Sequence, residues 1–375
     1  MIRTTYSPKN TASQKRFRAL VGKFSYYRKK ILSMPFAQLP WDHRDHLENV
    51  RLGNKFKHVV VVGMGGASLG AKALIEGTGR KIIFLDNVDP DFFQAKLHGL
   101  DLKKTLFLLM SKSGETIEVI SLAQILIKKV PIPQNFLVVT DPIDNELKKL
   151  AHKHHIPILP SPNDVPGRFS VLSLVGLLPS KLAGVNIKQV IRGAQKANWR
   201  EAYSLACHQY LHYQQKKNIT VFFPYAESLN SFSDWYIQLL AESIGKSKRV
   251  GLTPVKAMGV KDQHSQLQLF LDGPNDKFTL FLKAEKNTYD EKIPGTKLSL
   301  QKLFDAEYRG VKSALAKRKK SFVEIRVPAW NEETLGELFF FFELEIAFLG
   351  ALLQVNIENQ PAVELSKRIT KTLLR

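Results

Sequence analysis

The stretch LFLLMSKSGET, residues 106–116, joins two features that predict the fold of the chain around it. Its five leading apolar residues are typical of a strand that is buried on both faces of a parallel sheet. Small hydroxyl side chains, a lysine and a glycine follow, and residues 117–129 then have the apolar spacing of a helix. Such a turn leaves backbone N–H groups unpaired at the helix N-terminus, where they can bind a phosphate. An ordinary strand-to-helix turn is the alternative for this stretch alone.

The alternation of apolar strands and helices continues on both sides of this stretch. Strands are predicted in residues 58–62, 81–85, 105–110, 135–140 and 155–159. A second series begins at residue 218, with further strands predicted in residues 259–276, 277–285 and 321–328. Strands that alternate with helices favour a parallel sheet covered on both faces.

We therefore predict an α/β protein with two doubly wound, mainly parallel-sheet domains and additional N- and C-terminal helices. A length of 375 residues suits two domains better than one. The expected division is a helical N-terminal segment at residues 1–50, a first α/β domain at 51–183 and a second at 184–375. The second domain includes the C-terminal helices.

The composition excludes several classes of protein. With 44% hydrophobic and 24% charged residues, the chain is globular rather than disordered. No apolar run reaches the roughly 20 uncharged residues of a membrane helix, and the basic N-terminus lacks the apolar segment of a secretory signal. The single cysteine, Cys207, excludes an internal disulfide and a zinc site built on several cysteines. We expect a cytoplasmic protein that binds neither a membrane nor a metal.

The net charge of +21 suggests an anionic partner. Nucleic acid is one such partner, but the basic residues are spread over many segments and no nucleic-acid-binding motif is present. A basic bias of the whole proteome, or attraction of anionic metabolites, explains the charge more economically, and nucleic acid is the minor alternative.

The glycine-rich segment GMGGASLG, residues 63–70, follows the first predicted strand and opens a helix. Gly63 and Gly65 match the start of a dinucleotide-binding fingerprint, and Asp86 lies about 20 residues further on, as that fingerprint requires. Ser68 stands where the third glycine belongs. Dinucleotide binding, close approach of a sugar phosphate and simple helix packing all stay open for this segment.

Several charged or polar residues adjoin predicted apolar elements. Arg168 precedes a helix that should be buried, where a cation needs an anion. Glu242 lies near the end of a helix and could act as a general base. Gln360 and Lys367 are seven residues apart and so share a helix face, whereas a lone histidine such as His264 is usually structural. Each has a structural alternative, such as a capping arginine, an exposed glutamate or an ordinary amphipathic helix.

Taken together, these motifs resemble the glucose-6-phosphate isomerase (phosphoglucose isomerase) family, in its compact bacterial form with two sugar-isomerase (SIS) domains. They occur in that family's order, as GMGGASLG (63–70), SKSGET (111–116), GRFSVLSLVGLLP (167–179), AESIGK (241–246), DQHSQLQLFLDGP (262–274) and NQPAVELSK (359–367).

The resemblance implies reversible isomerisation of glucose 6-phosphate and fructose 6-phosphate in glycolysis and gluconeogenesis, through a cis-enediolate and without a cofactor. It implies that Glu242 is the base, that Arg168 stabilises the enediolate, and that His264 and Lys367 assist ring opening. The implied substrate-binding residues are Gly66, Ser111, Lys112, Ser113, Thr116 and Gln360. In that family the histidine comes from the partner subunit, so a homodimer is also implied.

Two related functions remain as alternatives: a dual phosphoglucose/phosphomannose isomerase, and a non-catalytic sensor of sugar phosphates. The chain also departs from the family at Ala67, Glu115 and Ile244, where the family usually has a serine, a threonine and a polar residue. A carboxylate aimed at the phosphate would weaken its binding, so we expect Glu115 to point away from it.

Overall fold

A computed structural model of the chain describes residues 2–7, 11–42, 47 and 56–374. The strands in this part are β1 (Arg3–Ser7), β2 (His58–Val62), β3 (Ile83–Leu85), β4 (Thr105–Met110), β5 (Phe136–Thr140), β6 (Ile158–Pro160), β7 (Ile219–Pro224), β8 (Thr253–Lys256), β9 (Lys277–Ala284) and β10 (Ser321–Val327). The helices are α1 (Thr11–Val21), α2 (Phe24–Leu32), α3 (Leu69–Gly77), α4 (Pro90–Leu97), α5 (Ile117–Lys129), α6 (Glu146–Lys153), α7 (Leu174–Leu182), α8 (Ile187–Gln195), α9 (Trp199–Gln214), α10 (Asn230–Ile244), α11 (Leu267–Asp272), α12 (Leu300–Lys317), α13 (Glu332–Leu353) and α14 (Val363–Leu373).

These strands form two five-stranded sheets with the same winding. The first has the order β3-β2-β4-β5-β6, and all of its strands are parallel. The second has the order β8-β7-β9-β10-β1, in which only β1 is antiparallel to its neighbour. In the first sheet, and in the second apart from β1, the chain starts centrally, steps once to one side and then continues on the other, which makes a doubly wound sheet. The predicted fold class is confirmed.

The N-terminal strand β1 departs from the prediction that residues 1–50 are helical. It pairs with β10 so that Arg3 lies opposite Arg326 and Ser7 opposite Phe322. β10 would otherwise be an open edge, and covering an edge removes a template for aggregation. The threonines and the tyrosine of RTTYS suit this role, because β-branched and aromatic residues favour strands. Residues 43–46 and 48–50 of the predicted segment lie outside the described residues.

The strand predicted in residues 259–276 was also wrong, because α11 lies there. Phe270 is buried, and Leu267 and Leu271 pack partly buried in the same cluster, whereas Leu269 is 51% exposed. The buried or partly buried positions 267, 270 and 271 are spaced i, i+3 and i+4, which marks one face of a helix. Apolar and polar residues also alternate here, which is why the sequence predicted a strand. The fourth parallel strand is instead β8, which the sequence reading missed.

Helix α13 forms the centre of the larger core. It packs against α8, α9 and α10, and almost all of its residues from Thr334 to Leu352 are buried. Glu343 and Glu345 are 0% exposed, and no described residue forms a hydrogen bond with the Glu343 carboxyl, whereas the Tyr236 hydroxyl lies beside the Glu345 carboxyl. Burial raises the pKa of both carboxyls well above the ordinary value of 4.5. Protonation therefore avoids a buried charge.

None of the described helices, α13 included, is long and apolar enough to cross a membrane.

We expect Glu343→Gln to reduce the loss of stability that the protein suffers as the pH rises. The unfolded carboxyl ionises near its ordinary pKa of 4.5, whereas the folded one has a raised pKa and keeps its proton. The free energy of unfolding therefore falls by about 1.4 kcal/mol per pH unit per carboxyl between these two values. A glutamine amide does not ionise in this pH range, so the variant lacks the contribution of this carboxyl to the pH dependence.

Thermal unfolding at about pH 5 and about pH 8 measures this effect. The variant should gain stability relative to the wild type at the higher pH and much less at the lower one. Asp144→Asn, which changes an exposed carboxyl, is the control and should show no such difference. An equal effect of Glu343→Gln at both pH values would contradict the prediction.

Candidate active site

The candidate site lies where the winding of the first sheet reverses, between β2 and β4. The carboxyl end of β2 leads into Gly63–Ser68, and the carboxyl end of β4 leads into Ser111–Thr116. The two strands are neighbours in the sheet, so their following loops lie side by side. Crevices at such points are the usual ligand sites of doubly wound sheets.

The loop at residues 111–116 has the geometry of an anion site. The Ser111 and Thr116 hydroxyls are 2.8 Å apart, and Gly114 has φ +63°, where a side chain would be strained. Thr116 occupies the N-cap position of α5 but makes no capping side-chain hydrogen bond. The first N–H groups of α5 therefore remain available, and a helix N-terminus with free N–H groups favours an anion.

Glu115 points away from this loop, as expected. Its carboxylate accepts a hydrogen bond from the backbone N–H of Glu146, at 3.2 Å, and so lies at the N-terminus of α6. A carboxylate is favourable there because of the helix dipole. Glu115 thus stabilises the N-terminus of α6 and does not point into the loop at residues 111–116.

Gly66 brings the glycine-rich turn into contact with the segment that carries Arg168. A Cβ at Gly66 would lie 2.4 Å from the carbonyl carbon of Gly167 and 2.7 Å from the backbone nitrogen of Arg168. Only glycine permits this approach. A small cavity of about 20 Å³ beside the contact is lined by Gly66, Gly167, Ser111 and Lys112, among others, and joins it to the loop at residues 111–116.

Arg168 is the buried cation at the centre of the site, with 3% of its surface exposed. Its guanidinium donates to Ser243 Oγ at 2.9 Å and to Gln360 Oε1 at 2.7 Å, and it lies 3.5 Å from Glu242 Oε2. It also donates to backbone carbonyls within residues 357–360. Burial lowers the pKa of Arg168, and the negative charge of Glu242 opposes that shift. The buried cation thus has both the anion and the hydrogen-bond acceptors that it requires.

Glu242 lies in the last turn of α10 and is partly exposed. Gln238, one turn earlier on the same helix face, donates from Nε2 to Glu242 Oε1 at 3.1 Å. A Cβ at Gly65 would lie 2.9 Å from the same Nε2, so Gln238 also faces the glycine-rich turn. The carboxylate is therefore held by Gln238 on one side and by Arg168 on the other.

Two predicted catalytic residues do not join this cluster within one chain. His264 is exposed and lines a separate cavity of about 890 Å³ at the carboxyl end of the second sheet. Lys367 lies on α14, which is exposed along its length, and donates to Glu364 at 2.7 Å. No hydrogen bond or ion pair between described residues joins either one to Arg168 or Glu242. The chain thus brings together Gly66, the loop at residues 111–116, Arg168, Glu242 and Gln360, but neither His264 nor Lys367.

The geometry argues against dinucleotide binding. Asp86, the acidic residue that the fingerprint would use for a ribose, is 3.1 Å from the ammonium of Lys72. Its carboxylate therefore already has a partner. The close contact of Gly66 with Gly167 uses the glycine-rich turn to assemble the site rather than to accommodate a pyrophosphate.

Comparison with known proteins gives the family. The model of the family described as phosphoglucose isomerase matches residues 47–258, which is more than half of the chain. The chain belongs to the phosphoglucose isomerase family. It is 34% identical to glucose-6-phosphate isomerase of Carboxydothermus hydrogenoformans, over 92% of this chain and 86% of that protein. It is also 34% identical to the enzyme of that name from Methanocaldococcus jannaschii, over 88% of each chain.

Two solved structures have the same fold as this chain. A glucose-6-phosphate isomerase from Chlamydia trachomatis superposes with a TM-score of 0.85 at 20% identity, over all of this chain and 88% of that one. A hypothetical protein from Thermus thermophilus superposes with a TM-score of 0.86 at 30% identity over the full length of both chains. The phosphoglucose isomerase fold therefore extends over both sheets of the protein, well beyond the residues that the family model matches.

Gln238, Ser243 and Lys246 belong to the described residues of this candidate site, and sequence reasoning missed all three. Gln238 had a usable signal, because it precedes Glu242 by four residues and so shares its helix face. Lys246 lies just beyond the end of α10 and contacts residues 357–360, which no local pattern could show.

Proposed function

We propose that the protein interconverts glucose 6-phosphate and fructose 6-phosphate. The observation that carries this proposal is the pairing of buried Arg168 with Glu242 beside a loop built for a phosphate. An isomerase needs a base next to a carbonyl, a cation where the enediolate charge develops, and a handle that orients the sugar. The first two lie side by side in this chain, and the loop supplies the third.

The phosphate loop provides the handle. Ser111, Lys112, Ser113 and Thr116 bind the phosphate, with the N–H groups of α5 behind them. A phosphate monoester carries nearly two negative charges at neutral pH, and the net charge of +21 speeds its arrival. Binding energy from this remote group orients the reacting carbons.

Glu242 carries out the proton transfer. Its carboxylate takes the proton from C2 of the open-chain aldose, which leaves a cis-enediolate. It returns that proton to C1 while the hydroxyl proton passes from O2 to O1, which forms the ketose. Arg168 stabilises the negative oxygen of the enediolate, and Gln360 contacts the sugar next to it. Gly66 allows the substrate to approach the backbone closely.

Ring opening uses His264 and Lys367, which supports a homodimer. His264 of the partner subunit supplies the imidazole, because the chain's own His264 lines a separate cavity. On α14, Leu365, Ile369 and Leu373 are 57%, 52% and 81% exposed, and their spacing of four residues makes one apolar stripe. A second subunit that covers this stripe would explain why it is open in the single chain.

The function is tested by conversion of fructose 6-phosphate to glucose 6-phosphate, read by a coupled dehydrogenase. Mannose 6-phosphate, assayed in parallel, separates the phosphoglucose isomerase from a dual phosphoglucose/phosphomannose isomerase. A folded protein that binds fructose 6-phosphate without turning it over would be a sensor, and the proposed function would be wrong.

Subunit mixing tests the partner's contribution. When a Glu242→Gln chain and a His264→Ala chain are co-expressed, one site of each mixed dimer has an intact Glu242 and the partner's intact His264. With random pairing we expect about a quarter of the wild-type turnover, because half of the dimers are mixed and half of their sites are complete.

Each variant expressed alone is the control and should have far lower turnover than the mixture. If His264 served the site of its own chain, every site in the mixture would lack one of the two groups. Activity would then stay at the level of the single variants.

A further inference from the structure

Lys246 lies beside the active site, and the mechanism above gives it no role. It follows the end of α10 by two residues, and its side chain turns back towards the helix. Its ammonium donates to the backbone carbonyl of Glu242 at 2.5 Å and to the backbone carbonyl of Asn359. It therefore joins the end of α10 to a segment more than 100 residues away in the sequence.

Arg168 holds the same segment from its other side. Its guanidinium donates to the carbonyl of Asn359 at 3.3 Å, to the carbonyl of Ile357, and to Gln360 Oε1 at 2.7 Å. The Asn359 carbonyl thus receives hydrogen bonds from two cations. Residues 357–360 connect α13 to α14, and Ile357 is buried while its three neighbours are exposed. Ile357 is thus the one buried residue of this segment, and the two cations add hydrogen bonds to its backbone carbonyls and to Gln360.

We propose that Lys246 is a positioning residue that, in its charged form, holds residues 357–360 against α10 and so sets Gln360 and Arg168 relative to Glu242. The inference rests on the proposed isomerase function. The charge of Lys246 matters because a hydrogen bond from an ammonium is about twice as strong as one from a neutral donor. A misplacement of about 1 Å in such a cluster lowers turnover by about a hundredfold.

The charge on Lys246 is sensitive to pH near neutrality. Burial, and then the positive charge of Arg168, lowers the pKa of Lys246 from 10.5 to about 8, while Glu242 opposes the shift. Glu358, which lies within residues 357–360, raises the pKa of Arg168 by its negative charge, as Glu242 does. The ammonium therefore predominates below about pH 8. As the pH rises above that value, the hydrogen bonds from Lys246 to the carbonyls of Glu242 and Asn359 weaken.

The experiment compares the wild type with Lys246→Arg and Lys246→Met, using kcat and KM for fructose 6-phosphate from about pH 6.5 to about pH 9.5. We expect the wild-type kcat to fall on the alkaline side near pH 8. Lys246→Met should lower kcat by about tenfold or more, change KM less, and remove this alkaline fall. Lys246→Arg stays charged, so it should keep kcat within about threefold and hold it to higher pH.

Two outcomes would overturn the proposal: a wild-type kcat and pH profile in Lys246→Met, or an alkaline fall that persists in that variant. Hydrogen exchange of residues 355–362 gives a readout that does not depend on activity. Exchange there should be faster in Lys246→Met than in the wild type and unchanged in Lys246→Arg. If the wild type had no isomerase activity, the proposed function would fail, and the exchange rates would still decide whether Lys246 holds the segment.

Discussion

Glu242→Gln should lower kcat by roughly a thousandfold, which corresponds to a barrier about 4 kcal/mol higher. Glutamine has nearly the same shape, and its amide can still interact with Gln238, which lies 3.1 Å from the present carboxylate. It cannot accept the proton from C1 of the ketose or from C2 of the aldose, because an amide is not a base at neutral pH. The loss should therefore appear in kcat, with KM changed far less, since the phosphate loop is untouched.

The coupled assay with fructose 6-phosphate measures this loss. Glu333→Gln is a matched control, because it also neutralises a glutamate but pairs with Lys196 and has no contact with the site. It should leave kcat unchanged. A Glu242→Gln protein with more than about a tenth of the wild-type kcat would show that another group moves the proton.

The second large effect is expected from Gly66→Ala, which should lower kcat/KM by about a hundredfold. The added Cβ would lie 2.4 Å from the carbonyl carbon of Gly167, a distance that real Cβ atoms do not adopt. The atoms that it meets are backbone, so no side chain can rotate away. The turn that carries Arg168 must shift instead, and the guanidinium would leave its place beside Glu242.

Gly310→Ala is the control for the substitution itself. Gly310 lies within α12, and a Cβ there would meet no other atom within 4 Å. Alanine should stabilise the helix by about 0.4–1 kcal/mol without changing kcat/KM. If Gly66→Ala retained wild-type kcat/KM, the contact between the two glycine turns would not be needed to position Arg168.

Local patterns predicted much of this fold because the strands of the first sheet are buried on both faces. Runs such as those at residues 58–62 and 105–110 are too apolar and too short for anything but central strands. The same patterns failed for α11, where an alternation of apolar and polar residues concealed a helical face. They also failed for β8, in which Thr253 is exposed and the other three residues are only half-buried. β1 was missed because an edge strand is defined by the neighbour that it covers rather than by its own residues.

By itself, the sequence determined the α/β class, most of the parallel strands of the two sheets and the residue types that the chemistry needs. Only the tertiary structure decided which of those residues meet. Arg168 reaches Gln360 across 192 positions, and Lys246 reaches Asn359 across 113. Periodicity reports which side of an element is buried, but not which distant segment packs against it. That choice is made by the packing of the whole core, and the same packing leaves His264 and Lys367 apart from Glu242.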